Sequence, residues 1–501
     1  MARPLAALVI AAALAPACSR PAPPPSRLAI AFPRGLPSLD LYDPGHESVS
    51  SSILANVYEP LVELGPDLAP RPGLAVSWHS PDPLTWVFQL RSGVRFHDGR
   101  PLTSGDVVAA LERSRRDGWT RGELEPIVQV ETRGTDEVVF RTREPFEGLL
   151  ARLTYVLIDG GVVPGGVAPG TGPYRIRSWR AGGPLLLEAF EGYWGGAPPI
   201  REVEFREVPD AAARARALES GEVQLVSDVP PEDMGRLAAR AGLRAVGRPG
   251  VRVVFLALDC ARARSPHVSP PGNPLRDPRV REALDLAFDR AALVAGPWRG
   301  YAEPAWQLPA PGDTGFDSAL PAPPHDPARS RRLLAEAGQA QGFDLTVDVM
   351  QGVGEPVFEA LAAQAAEAGI RLKLRSAAPR EFLQRVAARD VSAYLLRWTG
   401  ERGTAQDSYA SLLHTRRGEL GYMNGGGWSE PRFDALLERV TGLRAHEKRA
   451  PLLVEATRLV AQERPILPLY RQHDLFAFSD RLEFDPQAHR GLRVAQLRFR
   501  P

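Results

Sequence analysis

Residues 343–398 constrain the fold more than any other stretch. Apolar, β-branched runs at 343–350, 370–374 and 391–398 alternate with segments of helical spacing at 356–368 and 381–388, and Gly369 closes the first of these. Two helices between three strands predict β-α-β-α-β, a largely parallel, open sheet. Ligands in such sheets sit beyond the carboxyl ends of the strands. The loop at residues 399–409 occupies that position.

Related patterns run through the rest of the chain. Residues 28–32 read as a first strand, and residues 203–208, 211–219 and 223–226 as strand, helix and strand, with Gly221 as the helix stop. That βαβ unit predicts a parallel pair. Ile53, Val57 and Leu61 share a helical face. Residues 86–90 and 94–97 read as a hairpin around Arg91-Ser92-Gly93, with Asp98-Gly99 as the next turn. Thr103 and Asp106 have the spacing of a capping box, which opens a helix carrying Val107, Val108 and Leu111. Residues 128–131 and 138–141 should pair around Thr135-Asp136. Residues 251–258 form a longer apolar strand. Asp277-Pro278 and Asp326-Pro327 place a capping residue before a proline suited to a first helical turn. Val280, Ala283, Leu284, Ala287 and Phe288 then form one buried stripe. A further capped helix is marked by Ser429, Pro431, Phe433, Leu436, Leu437 and Val440.

These punctuation residues carry a resemblance. Leu74-Ala75, Ser77-Trp78, Trp86, Phe88, Leu90-Arg91, Gly93-Val94, Phe96-His97-Asp98-Gly99, Pro101, Thr103 and Asp106-Val107 closely resemble the signature of the bacterial extracellular solute-binding proteins of family 5. Those are the large receptors of peptide, dipeptide and nickel ABC importers. Asn56, Tyr58, Glu59 and Leu61 resemble the family's N-x-YE-x-L, and Gly170-Thr171-Gly172-Pro173-Tyr174 its GTGPY. Tyr193-Trp194-Gly195-Gly196 resembles its YWGG. The resemblance implies an α/β, two-lobed periplasmic-binding-protein-like fold, type II, of the large peptide-binding subclass, with an extra subdomain in the first lobe. It divides the chain into lobe I at 27–56, 170–260 and 471–501, the extra subdomain at 57–169, and lobe II at 261–470. The lobes should hinge near Leu258 and Tyr470.

Composition excludes several classes. With 61 basic against 60 acidic residues, the net charge of +1 gives no electrostatic case for nucleic acid. No G-x-S-x-G, H-E-x-x-H, Walker lysine or G-x-G-x-x-G is present, so no enzyme, metal or nucleotide motif is expected. The expectation is therefore no cofactor and no metal. His97-Asp98 reads as part of a turn, and GTGPY, with no lysine behind it, as a tight turn and not a phosphate cradle. Arg3 followed by the apolar residues 5–14 has the form of an export signal, residues 1–17. Ala15-Pro16-Ala17-Cys18 resembles a lipobox, which implies lipidation of Cys18, with the proline-rich residues 18–26 as a tether. Cys260 is then without a disulfide partner and should be buried and inert.

The site expectation rests on Trp398-Thr399-Gly400-Glu401, which resembles the W-T-G-D of dipeptide receptors. There the aspartate pairs with the peptide α-amine. Glu401 keeps the carboxylate one methylene further out. Asp407 is a second acid in the same loop. The resemblance implies that Trp398 lines the cleft. Arg402 offers a fork for a ligand carboxylate, although no family motif places that role. The expected function is capture of a short peptide by a monomeric, membrane-anchored receptor outside the cytoplasm, with an ABC permease and its ATPase as partners. A nickel chelate, haem or an oligosaccharide in the same fold, an exported hydrolase, and a signalling receptor remain as alternatives.

Overall fold

Two long antiparallel strands, Leu243–Leu258 and Ile466–Ser479, run side by side through the middle of the molecule. The structure, a computed structural model, describes residues 27–43, 46, 48–65, 69–117, 120–146, 148–161, 163, 166–351, 354–400, 403–418, 420–443, 446–486 and 491–500. Both long strands belong to a curled 12-stranded sheet that serves the two lobes together. Residues 243–249 and 473–479 pair on the first-lobe side, and Arg252 to Leu258 pairs with Ala393–Thr399 on the second. The register slips between Pro249 and Arg252, so the ladder is irregular where the chain passes between lobes.

In the first lobe, Arg27–Phe32 lies parallel to both Glu202–Glu207 and Leu225–Ser227. The expected βαβ unit is present, with helix Ala211–Glu219 between its strands. Its strands are parallel but not neighbours, because the N-terminal strand has inserted between them. Sequence adjacency favours pairing without enforcing it. In the second lobe, Phe343–Met350 lies between Ile370–Ala377 and Ala393–Thr399, parallel to both. Helices Glu355–Glu367 and Pro379–Ala388 make the connections, so the expected β-α-β-α-β is there in full. Val254, Leu256 and Leu258 enter one core while Val253, Phe255 and Ala257 enter another. That period-two switch is what a strand covered on both faces requires.

The caps read from sequence hold. Asp277 accepts from the Arg279 N–H at 2.9 Å, and Asp326 from the Arg329 N–H at 2.8 Å. Thr103 N–H donates to Asp106 Oδ2 at 2.9 Å, and helix Ser104–Asp117 follows. Val280, Ala283, Leu284, Ala287 and Phe288 are all buried in one core. The C-terminal Leu492, Val494 and Leu497 complete the first-lobe core.

Two local expectations are corrected. Residues 94–97 do not pair with 86–90. Strand Thr85–Leu90 is flanked by Ala75–Asp82 and Glu137–Thr142, so neither of its edges is open. Residues 94–102 close instead as a loop, through the Arg95–Pro101 bridge and hydrogen bonds from the Phe96 N–H to the Arg100 carbonyl at 2.9 Å and from the Leu102 N–H to the Val94 carbonyl at 3.0 Å. These strands and Ile127–Arg133 make a four-stranded sheet with its own apolar core. Nor is there a helix reaching Leu61. The helix is Ser48–Leu54, and Asn56 Nδ2 takes the carbonyls of Ser52 and Ile53 at 3.1 and 3.2 Å. Pro60 biases Glu59 to extended backbone, and the chain enters short strands there.

Candidate functional site

The carboxyl ends of the parallel strands from both lobes point at the crossing strands. Arg34 follows strand Arg27–Phe32, and Asp228 follows Leu225–Ser227. From the second lobe come Arg397 and Thr399, at the end of Ala393–Thr399. Arg252 on the crossing strand stands between the two sides. It pairs with Asp474 and lies 3.7 Å from Asp228. Arg397 lies within electrostatic reach of Arg252, Asp228 and Arg34, so the three elements converge on one junction.

Of the residues singled out at and beyond the end of strand Ala393–Thr399, Trp398 and Asp407 are described. Glu401 and Arg402 lie outside the described residues, as does Cys18. Trp398 is half-buried against a second-lobe core, and its indole N–H donates to Ser408 Oγ at 3.0 Å. Asp407 sits in the first turn of helix Ala405–Leu412, whose N-cap is Thr404. Its carboxylate accepts from Arg152 at 3.5 Å. Arg152 belongs to helix Leu149–Leu153 on the far side, where it also stacks on Phe146 at 5.0 Å. Asp407 therefore takes part in a bridge between the lobes.

Sequence reasoning did not single out Arg152 or Arg397. Arg152 carries no local signal. Arg397 does, as a charge inside the apolar run AYLLRWT.

The resembling motifs away from this junction are structural. His97 accepts from the Gly170 N–H at Nδ1, 3.1 Å, and its Nε2 lies 3.0 Å from the Gly172 carbonyl. This geometry needs a neutral ring protonated at Nε2, and burial pushes the pKa down to about 4. A Cβ on Gly170 would overlap the Val57 carbonyl oxygen, and Gly172 N–H donates to that same oxygen at 2.9 Å. The glycines of GTGPY thus serve close backbone approach. Glu59 is buried and accepts from Tyr193 OH at 2.8 Å and Trp194 Nε1 at 3.0 Å. Burial pushes its carboxyl up to about 7, against the pull of those donors. Cys260 is half-buried, its thiol donates to the Leu258 carbonyl at 3.4 Å, and burial pushes its pKa up to about 12, which disfavours the reactive thiolate. Among the described residues no cluster of three His, Cys, Asp or Glu is placed to hold a metal, and no helix is long and apolar enough to cross a membrane.

The family model for bacterial extracellular solute-binding proteins, family 5, matches residues 69–419. The chain belongs to this family. Within it, the glutathione-binding protein GsiB of Salmonella typhi is 26% identical over 499 residues, covering 95% of this chain and 94% of the relative. The dipeptide-binding protein of Escherichia coli (strain K12) is 26% identical over 437 residues, covering 79% and 80%. NikA from Brucella suis, solved in complex with Fe(III)-EDTA, superposes with a TM-score of 0.83 at 21% identity, over 95% of this chain and all of that one. DppA from Helicobacter pylori, in complex with the peptide STSA, gives 0.81 at 20% identity, over 94% and 98%. These likenesses show the two-lobed fold. This family 5 protein is therefore a solute-binding protein, and the two curated relatives are named for binding glutathione and dipeptides.

Proposed function

We propose that this family 5 protein is a lipid-anchored receptor that closes its lobes on a short peptide and delivers it to an ABC permease. The observation that carries the reading is the junction at the crossing strands. Strand ends from both lobes meet there, and Arg152 and Asp407 reach across it. Relatives named for glutathione and dipeptide binding support a small, peptide-like guest. An extended peptide would be fixed by main-chain hydrogen bonds, with Trp398 as an apolar wall and Glu401 facing its α-amine. Arg402 and Asp407 complete the proposed set of contacts.

Calorimetry with matched peptides tests the reading. Glu401→Ala should weaken peptides with a free N-terminus at least tenfold, and N-acetylated ones little. Equal loss for both removes Glu401 from the amine site. A wild type that binds no di- or tripeptide removes the peptide from the proposal. Lipidation of Cys18 has its own check. Protein from a membrane fraction should carry the mass of a diacylglyceryl group, and Cys18→Ser should carry none and be released. An unmodified, membrane-bound wild type would count against the anchor.

A further inference from the structure

We infer that a cavity at the open edge of the second-lobe sheet, away from the cleft, is a second binding site, and that it takes a small carboxylate with an apolar body. The cavity measures about 270 Å³. That exceeds the ~150 Å³ that holds a benzene ring and falls just short of the roughly 300 Å³ at which drug-sized pockets begin, so it suits one ring or a short branched chain. It lies along strand Ile466–Ser479, at Ile466, Leu467 and Pro468. There the strand pairs with Leu243–Leu258 on one side, and strand Ala302–Pro304 joins its other side only from Tyr470 onward. Ile466 stands opposite Ala257, five residues along the ladder from Arg252 at the junction, or about 16 Å. Arg471 donates to the carbonyls of Gln307 and Pro309 at 3.2 and 2.6 Å, which ties that segment down between cavity and cleft.

Apolar walls come from both faces of the sheet. Leu286 belongs to helix Pro278–Ala287, and Val460 and Ala461 to helix His446–Glu463. Trp306 and residues 320–324 close the outer side. The Trp306 indole N–H donates to the Leu320 carbonyl at 2.9 Å, which fixes the ring as a wall. The charges are unbalanced. Asp285 pairs with Arg290 at 2.5 Å, and Glu282 accepts from Arg329 at 2.5 Å. Arg464 reaches Asp285 Oδ2 at 3.1 Å and Glu282 at 3.9 Å. Three guanidiniums thus face two carboxylates, and Arg464 Nη2 makes no hydrogen bond among the described residues. Arg464 directly follows its helix with φ +52°, a position where the backbone favours glycine. The strand edge adds a donor two residues on. Leu258 N–H donates to the Pro465 carbonyl at 3.0 Å, so by antiparallel alternation Ile466 turns its N–H and carbonyl to the open edge. The Pro468 carbonyl, turned the same way, accepts from Arg290 Nε at 2.8 Å, whereas the Ile466 groups have no partner there among the described residues. A carboxylate answers the surplus charge and accepts from these donors, while the walls cover its apolar body.

Ligand-observed NMR and calorimetry on the intact protein test this with benzoate, phenylacetate and hexanoate against benzamide and benzylamine. Wild type should hold the carboxylates about tenfold or more tighter than benzamide, and should reject benzylamine. Arg464→Gly removes the guanidinium and suits the left-handed backbone, so the fold is kept. It should lose that preference and bind benzamide as before. Ala461→Phe fills the cavity and should bind none of the probes. A wild type that binds no carboxylate at millimolar concentration, or does not distinguish benzoate from benzamide, overturns the inference. Carboxylates that bind Ala461→Phe as they bind wild type are held elsewhere, the cleft included, and overturn it too. Should Ala461→Phe fail to fold, Arg464→Gly decides alone, and undiminished benzoate binding in that variant overturns the site. The proposed peptide contacts lie outside this cavity, so none of these outcomes bears on them.

Discussion

Two buried titratable side chains near the GTGPY turn pull stability in opposite directions with pH. Glu59 has its folded pKa raised from 4.5 to about 7 by burial. Its contribution is fully present below pH 4.5 and is lost as pH rises through 7. His97 has its folded pKa lowered from 6.5 to about 4, again by burial. Its contribution is present above pH 6.5 and is lost as pH falls through 4. Each shift is worth on the order of 3 kcal/mol. Between pH 4.5 and 6.5 the two slopes oppose, so wild type should show a nearly flat melting temperature there. Glu59→Gln keeps an acceptor for the Tyr193 and Trp194 donors and removes one slope. Its melting temperature should climb with pH across that window. A profile parallel to wild type would show that Glu59 does not titrate there.

At the scale of elements, what depends on near neighbours in the chain was legible, and what depends on distant partners was not. Caps at Asp277 and Asp326 and the Thr103–Asp106 box are local hydrogen bonds, and they stand where their spacing puts them. The strand at residues 86–90 was also readable, but its neighbours were not. Edges are filled by whichever strands reach them, and 137–142 comes from well along the chain. The Gly170 turn is a further case. Its composition signals a turn, but the reason for glycine is the Val57 carbonyl behind it. Gly170→Ala should cost about 1–3 kcal/mol from overpacking against backbone that has little room to move. Chemical denaturation reads this directly, and unchanged stability would mean that the loop shifts freely. Gly99 has φ +90° with open space around it, so a loss at Gly99→Ala would report backbone strain without a clash.

For the whole molecule, the Arg152–Asp407 pair is the contact that bears on opening and closing. Its side chains are 21% and 27% exposed, so solvent screens it in part. An ion pair of this kind is worth about 1 kcal/mol or less. Asp407→Asn should therefore shift the lobes toward the open form by up to about fivefold. In small-angle scattering the ligand-free variant should show a larger radius of gyration than wild type, and raised salt should shrink the difference. Identical curves at low salt would remove the pair from the closing equilibrium.

The chain by itself determined the alternation of strands and helices and the helix caps, because periodicity and capping act over a few residues, and the resemblance of its motifs pointed to the two-lobed class and the family. It also pointed to the loop at residues 399–409 as the expected site region, since carboxyl strand ends are where an open parallel sheet leaves room. The tertiary structure alone decided that Asp407 meets Arg152, that Arg27–Phe32 parts the strands of its βαβ unit, and that Arg397 comes within electrostatic reach of Arg252 and Asp228. Those outcomes depend on which surfaces come together across hundreds of residues, and no short window of sequence carries that information.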